Sequence, residues 1–344
     1  MPDNAHAKVE QQTPQAQLMH MATAHWVSSV VYVAAQMSLA DHLAEAPMTA
    51  ADLAQSTKCD ASSLYRIMRT LAGLGVFTED SDHRFSLAPL GEALRTGTPG
   101  SVRSAVLFLA GSLNTQSLGR LHYSVQTGKT AFEKVFGMGL FEWLAKHPAD
   151  ASMFSEAMNG LNRGDHEAVA KAYDFSQTGT VVDIGGASGF LLATVLSHHR
   201  EPRGILFDLP HVVRDAPAMI KAHGLTDRIA IESGNFFESV PAANGAYMLS
   251  QIMHDWGEDQ CLAILGNCRR AMKPNSRLLI IEMVLPTGNT PHPGKMLDIV
   301  MLAVAGGRER TVPEYRQLLE KAGFQLARVV PTESAVSIVE ALPA

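Results

Sequence analysis

Between residues 180 and 341 the chain alternates short apolar runs with stretches whose apolar positions recur at helical spacing. Strands are expected at 180–184, 204–207, 228–232, 245–249, 277–284, 325–330 and 335–341, and helices at 189–199, 211–223, 258–272 and 313–322. Runs such as Val181-Val182 and Tyr247-Met248-Leu249 are apolar without alternation, which suits strands covered on both faces. Strand and helix in turn predict an α/β, Rossmann-like parallel sheet with helices on both faces. In such sheets ligands sit beyond the carboxyl ends of the strands.

The first hundred residues follow a different pattern. Thr49 suits a helix cap for residues through Ala54, and Lys58-Cys59-Asp60 makes a turn into a second helix from Ala61. There Leu64, Ile67, Met68, Leu71 and Leu74 form one apolar face, and Gly73 and Gly75 end it. Residues 76–78 and 84–87 then make a hairpin around a polar tip, so the segment reads as a small winged helix. Upstream, the apolar stretch Trp26 to Leu39 is too short to span a bilayer and is expected as a helix buried against protein, plausibly a homodimer seam. Pro99-Gly100 marks a boundary, and residues 101–173 read as helices broken near Gly111, Gly128, Gly137 and Pro148.

Charge narrows the function. A winged helix is also a DNA-binding shape, yet residues 49–96 hold five basic against six acidic side chains. Phosphate neutralisation dominates DNA affinity, so a dimerisation scaffold is the better expectation than a regulator. The net charge of −6 over 344 residues argues against general affinity for nucleic acid or anionic membrane. Cys59, Cys261 and Cys268 have no metal-ligand spacing and read as reduced thiols in a cytoplasmic protein; the polar start, Met1 to Gln17, lacks the features of a secretory signal.

The strand ends carry the candidate chemistry. The first runs from Val181 through Asp183 into Gly185-Gly186-Ala187-Ser188-Gly189, a turn that lets a ligand approach the backbone closely. The second ends in Asp208, placed to accept from both hydroxyls of a ribose. A dinucleotide and S-adenosylmethionine compete for this spacing. The Gly-Gly-x-x-Gly order, and Asp183 close to where a diphosphate would lie, favour the sulfonium cofactor. Beyond the third strand stand Asn235 and Phe236; beyond the fourth, Ser250, His254 and Trp256; the fifth carries Glu282, and Glu309 lies in the loop after it. His254 can take a substrate proton near neutral pH, and Glu282 and Glu309 could hold its imidazole in the working tautomer. Such a transfer needs no metal.

These stretches resemble the plant-type small-molecule O-methyltransferases, the S-adenosylmethionine-dependent family that includes caffeate, hydroxyindole and phenazine O-methyltransferases. The matching segments are VVDIGGASG at 181, FDLPHVV at 207, GNFF at 234, LSQIMHDW at 249, IIEMVLP at 280 and GGRERT at 306, with further agreement in the winged helix and around residues 121 and 153. The resemblance implies a class I methyltransferase domain over 101–344, with a helical substrate-side linker over 101–175, and a dimerisation domain over 1–100. It implies Gly185 in the cofactor loop, Asp208 on the ribose, Asn235, Phe236 and Trp256 beside the adenine, and His254 as general base flanked by Glu282 and Glu309. Met158 and Met301 match positions that hold the substrate. Phe154 adds an apolar wall for a planar guest. S-adenosylhomocysteine would be the second product, and a role in secondary metabolism follows from the same family. A cofactor-sensing regulator, or transfer to nitrogen or carbon, are the alternatives.

Two residues depart from the family pattern. Asn235 stands where Asp is usual and offers a neutral acceptor to the adenine amino group. Ser250 replaces a Lys or Arg and supplies neither its charge nor its reach.

Overall fold

The computed structural model describes residues 13–344; most of the polar N-terminal segment lies outside the described residues. The chain divides into two compact units, with the division between Gly111 and Ser112.

The first unit opens with a helix over Pro14–Gln36, begun by Thr13, whose hydroxyl accepts from the Ala16 N–H at 3.2 Å. Within this chain the helix buries only Ala34 and Ala35, while Leu18, Met21 and Trp26 are each more than 60% exposed. The described residues of this chain leave Trp26 and Val27 exposed, so they do not supply the partner surface expected for this apolar stretch. Helices over Ala50–Thr57 and Ala61–Gly73 follow, the first closed by a Thr49/Asp52 capping box and the second by Asp60, which accepts from Ser63 N–H at 2.8 Å. Leu64, Met68 and Leu71 are buried as their spacing predicts, whereas Leu74 ends the helix 40% exposed. The wing pairs Phe77–Glu79 with Arg84–Leu87, and Met48–Thr49 adds a third strand that the hairpin pattern does not announce. The unit continues past Pro99-Gly100 because Arg103 donates to the Ala35 carbonyl and to Ser38 Oγ, both at 3.0 Å.

The second unit is built on a seven-stranded sheet. Its strands, numbered here within the sheet, are β1 (Thr180–Ile184), β2 (Arg203–Asp208), β3 (Ile229–Ser233), β4 (Gly245–Ser250), β5 (Arg277–Glu282), β6 (Phe324–Pro331) and β7 (Ser337–Pro343). The spatial order is β3-β2-β1-β4-β5-β7-β6. Alternate residues face opposite layers: Val181, Met248, Leu279 and Ile281 join one core, and Val182, Tyr247, Leu278 and Ile280 the other.

The sheet is not wholly parallel, as the sequence pattern suggested. β7 runs antiparallel to both β5 and β6, since the connection over 332–336 is far too short for a crossover. The fifth strand also stops at Glu282 rather than at 284; Val284–Leu285 leaves the sheet to pair with Arg310–Thr311. The order reverses between β1 and β4, and this switch point opens the crevice where such sheets bind ligands. Among the described residues no helix is long and apolar enough to cross a membrane.

The close approach of β4 to β1 depends on Gly245, where a Cβ would lie 1.9 Å from the Thr180 carbonyl oxygen and 2.5 Å from that of Thr178. Gly245→Ala should cost about 1–3 kcal/mol of stability, the usual scale of overpacking. The check is a lower urea midpoint at unchanged slope.

Candidate active site

The glycine turn after β1 is fixed by its own chain. Gly185 and Gly189 have φ of 69° and 83°, and a Cβ on Gly185 would meet Ile252 Cδ1 at 2.5 Å. Ala187 adopts φ 49°, a conformation that non-glycine residues pay for, and its N–H donates to Asp208 Oδ2 at 2.9 Å. Asp208 Oδ1 accepts from Leu209 N–H at 2.7 Å, so each carboxylate oxygen is oriented by one amide and keeps a lone pair for a ligand hydroxyl. Asp183 does not face the ligand side as its place beside the glycines suggested. It is buried under Gly186, with Oδ2 lacking a hydrogen-bond partner, and burial together with the Asp208 charge raises its pKa to about 7.

The next two strand ends supply aromatic surface. Phe236 and Phe237 meet Trp256 at ring distances of 6.2 and 4.8 Å, both edge-on. The Asn235 side chain is engaged locally: Oδ1 accepts from Phe237 N–H at 3.0 Å and Nδ2 donates to Glu238 at 3.2 Å. Its oxygen thus has one lone pair already used. Ser250 is the last residue of β4, beside Gln251, whose φ of 55° turns the chain toward His254.

His254 follows on a short 3₁₀ turn, Met253–Asp255, and is 6% exposed. Glu309 Oε1 lies 2.6 Å from its Nδ1. Glu282 was expected to help hold the ring and instead holds the backbone: its Oε1 accepts from the His254 N–H at 3.0 Å, and its Oε2 accepts from the Tyr315 hydroxyl. The reason lies in the sheet, because Glu282 ends β5 directly under the turn while Glu309 reaches in from the loop above it. Parallel pairing of Val284–Leu285 with Arg310–Thr311 ties the two acids together. The Glu309 N–H donates to Asp298 Oδ1 at 2.8 Å.

Asp255 Oδ1 stands 3.7 Å from His254 Nε2, on the ring edge opposite Glu309. Burial works against the imidazolium, but the charges of Asp255, Glu309 and Glu282 outweigh it and carry the His254 pKa up to about 10. Burial also lifts Asp255 to about 6, against the pull of His254.

Phe154 and Met158 are half-buried on the helix Pro148–Ala172. Asn159 on that helix meets Ser188 of the glycine turn at 3.3 Å. Phe154 lies edge-on to Phe141 at 6.3 Å, and Phe141 stacks on Trp256 at 5.0 Å and 25°. Met301 is buried at the start of a π-helical turn, Met301–Ala305. Gly307 behind it has no room for a side chain, since a Cβ would lie 2.0 Å from the His254 carbonyl oxygen. A cavity of about 610 Å³ lined by Gln116, Arg120, Tyr123 and Lys134, among others, includes none of these residues.

Sequence reasoning missed Phe141, Tyr315, Gly307 and Arg310. The first two look like core residues in a sequence. The GGRERT segment held a signal for the last two, which went unused because only its glutamate suggested chemistry.

The open sheet with its switch-point crevice is that of a class I methyltransferase. The family model of the O-methyltransferase domain matches residues 119–325, and that of the O-methyltransferase dimerisation domain matches residues 19–97. The chain belongs to this S-adenosylmethionine-dependent O-methyltransferase family. It is 44% identical over 326 residues to phenazine O-methyltransferase PhzM of Lysobacter antibioticus, covering 95% of each chain. The crystal structure of LaPhzM superposes with a TM-score of 0.93 at 44% identity, over 97% of this chain and 100% of that one. The O-methyltransferase NcsB1 from neocarzinostatin biosynthesis, in complex with S-adenosylmethionine and 2-hydroxy-5-methyl naphthoic acid, superposes with a TM-score of 0.83 at 31% identity, over 97% and 100% of the two chains.

Because the Asp255 charge raises the proton affinity of His254, Asp255→Asn should lower it. The rising limb of kcat/KM against pH should move to lower pH. An unmoved limb, or one displaced upward, would show that another group controls it.

Proposed function

We propose that this enzyme methylates a hydroxyl group on a planar, largely apolar aromatic or polyketide-like small molecule, with His254 as general base and no metal ion. The observation that carries the reading is the buried His254–Glu309 pair, 2.6 Å apart, on the turn after the switch-point strand β4. S-adenosylmethionine supplies a methyl group already activated by its sulfonium, so the chain's task is to bind, align and deprotonate.

The residues present fit that cofactor. Gly185 would stand in the loop that borders it, and the free lone pairs of Asp208 would receive the ribose. Phe236 and Trp256 would flank the adenine, with Asn235 as a weaker acceptor and Ser250 at the strand end. With Glu309 on Nδ1, the Nε2 lone pair of His254 is the one left to accept the substrate proton. The carboxylates around the ring raise its proton affinity, which favours uptake of a phenolic proton by the neutral imidazole. Glu309 then faces the imidazolium it stabilises, while Glu282 keeps the turn in place.

Phe154, Met158 and Met301 would hold the ring against the methyl donor. The phenazine and naphthoic acid in the names of the relatives support a flat, fused-ring guest. We also read the chain as a cytoplasmic homodimer with a role in secondary metabolism. The exposed apolar face of the Pro14–Gln36 helix supports the dimer, and three unpaired cysteines support the compartment.

The test is mass spectrometry after incubation with methyl-labelled donor, chelator, and a panel of phenols, naphthols, hydroxyindoles and hydroxyphenazines. One labelled methyl per product, with S-adenosylhomocysteine, is the expected result. His254→Ala should still bind the donor by calorimetry but lose turnover of an un-ionised phenol by about 100-fold or more. Turnover near that of the wild type would remove His254 as the base.

A further inference from the structure

Arg310 is 3% exposed, yet its donors go to backbone carbonyls and a thiol rather than to a carboxylate. Nη1 donates to the Met253 carbonyl at 2.9 Å and to the Arg308 carbonyl, two residues back, at 3.2 Å. Nη2 reaches the Trp256 carbonyl at 3.4 Å and Cys261 Sγ at 3.3 Å. Met253 and Trp256 bracket the His254-Asp255 pair, so one planar fork spans the turn that carries the imidazole. Cys261, fully buried on the helix Glu258–Ala271, touches the same two carbonyls at 3.3 and 3.4 Å. A 3₁₀ turn leaves such carbonyls without helical partners, and burial makes that costly unless a donor is supplied.

The backbone neighbour of Arg310 matters as much as its contacts. It follows Glu309 directly and pairs with Val284, two residues beyond Glu282. Guanidinium geometry therefore links the turn bearing His254 to the segment bearing Glu309, and through the ladder of Arg310–Thr311 with Val284–Leu285 to Glu282.

We propose that Arg310, assisted by Cys261, is a positioning residue that sets the placement of His254 against Glu309. This rests on the reading of His254 as general base. Lysine keeps the charge but lacks the fork that grips two carbonyls at once.

The experiment compares two substrates in the wild type, His254→Ala and Arg310→Lys: an accepted phenol that is un-ionised at assay pH, and its fluorinated analogue that is ionised. Binding of the methyl donor and thermal melting are measured for each variant. A defect acting through the base should appear with the first substrate and largely vanish with the second, which has no proton to lose. Arg310→Lys should lower kcat for the un-ionised phenol by about 10- to 100-fold, the scale of an ångström-sized misplacement, with donor affinity unchanged. Should that variant fail to fold, Cys261→Ala carries the same comparison, with a smaller loss and the same selectivity. If His254→Ala is selective between the substrates but Arg310→Lys affects both equally or neither, Arg310 is merely structural. If His254→Ala itself shows no selectivity, the base assignment falls, and the proposal with it.

Discussion

A carboxylate and an imidazole held together out of water place demands on everything around them. Glu309 and His254 are 3% and 6% exposed and 2.6 Å apart. Removing two ionisable groups from solvent is expensive unless each remaining polar atom is met. Much of the local architecture answers that requirement. Glu282 takes the His254 N–H, Tyr315 takes the other oxygen of Glu282, Asp298 takes the Glu309 N–H, and Arg310 covers the carbonyls of the turn. Glu309 Oε2 is left buried without a protein partner.

The scaffold explains why this cluster and the nucleoside-binding end lie in one crevice. β1 and β4 are neighbours at the point where strand order reverses. Asp208 and the glycine turn emerge on one side of it, His254 on the other. Contact between Gly185 and Ile252, two residues before His254, makes the glycine turn and the turn bearing His254 pack as one surface. Trp256 joins that surface to Phe154 through Phe141. The short ladder of Val284–Leu285 with Arg310–Thr311 brings the two acids, separated by a long loop, to the same imidazole-bearing turn.

Much of this was legible in the residues themselves. Apolar runs and helical spacing placed every strand of the sheet to within a few residues, because burial on both faces leaves little freedom in composition. Polar residues at the strand ends marked Asp208, His254, Glu282 and Glu309. What stayed hidden was relational. Nothing in the sequence tells that Glu282 meets a main-chain N–H and not the ring, or that Asp183 turns inward beneath Gly186. A π-helical turn at Met301 and a β7 reversed in direction are likewise settled by packing and loop length. The exposed face of the first helix is the opposite case. Its apolar residues were readable, but the described residues of this chain leave them exposed.

In the proposed mechanism Glu309 fixes the tautomer of His254 and faces its charge after proton transfer. The most direct test of this role is kcat for an un-ionised phenol at saturating donor in Glu309→Gln, which preserves size and removes the charge. A fall of about 100-fold or more with unchanged donor affinity is predicted, by analogy with the acid of a catalytic triad. Wild-type turnover in that variant would contradict the central claim and leave the buried pair a structural feature only.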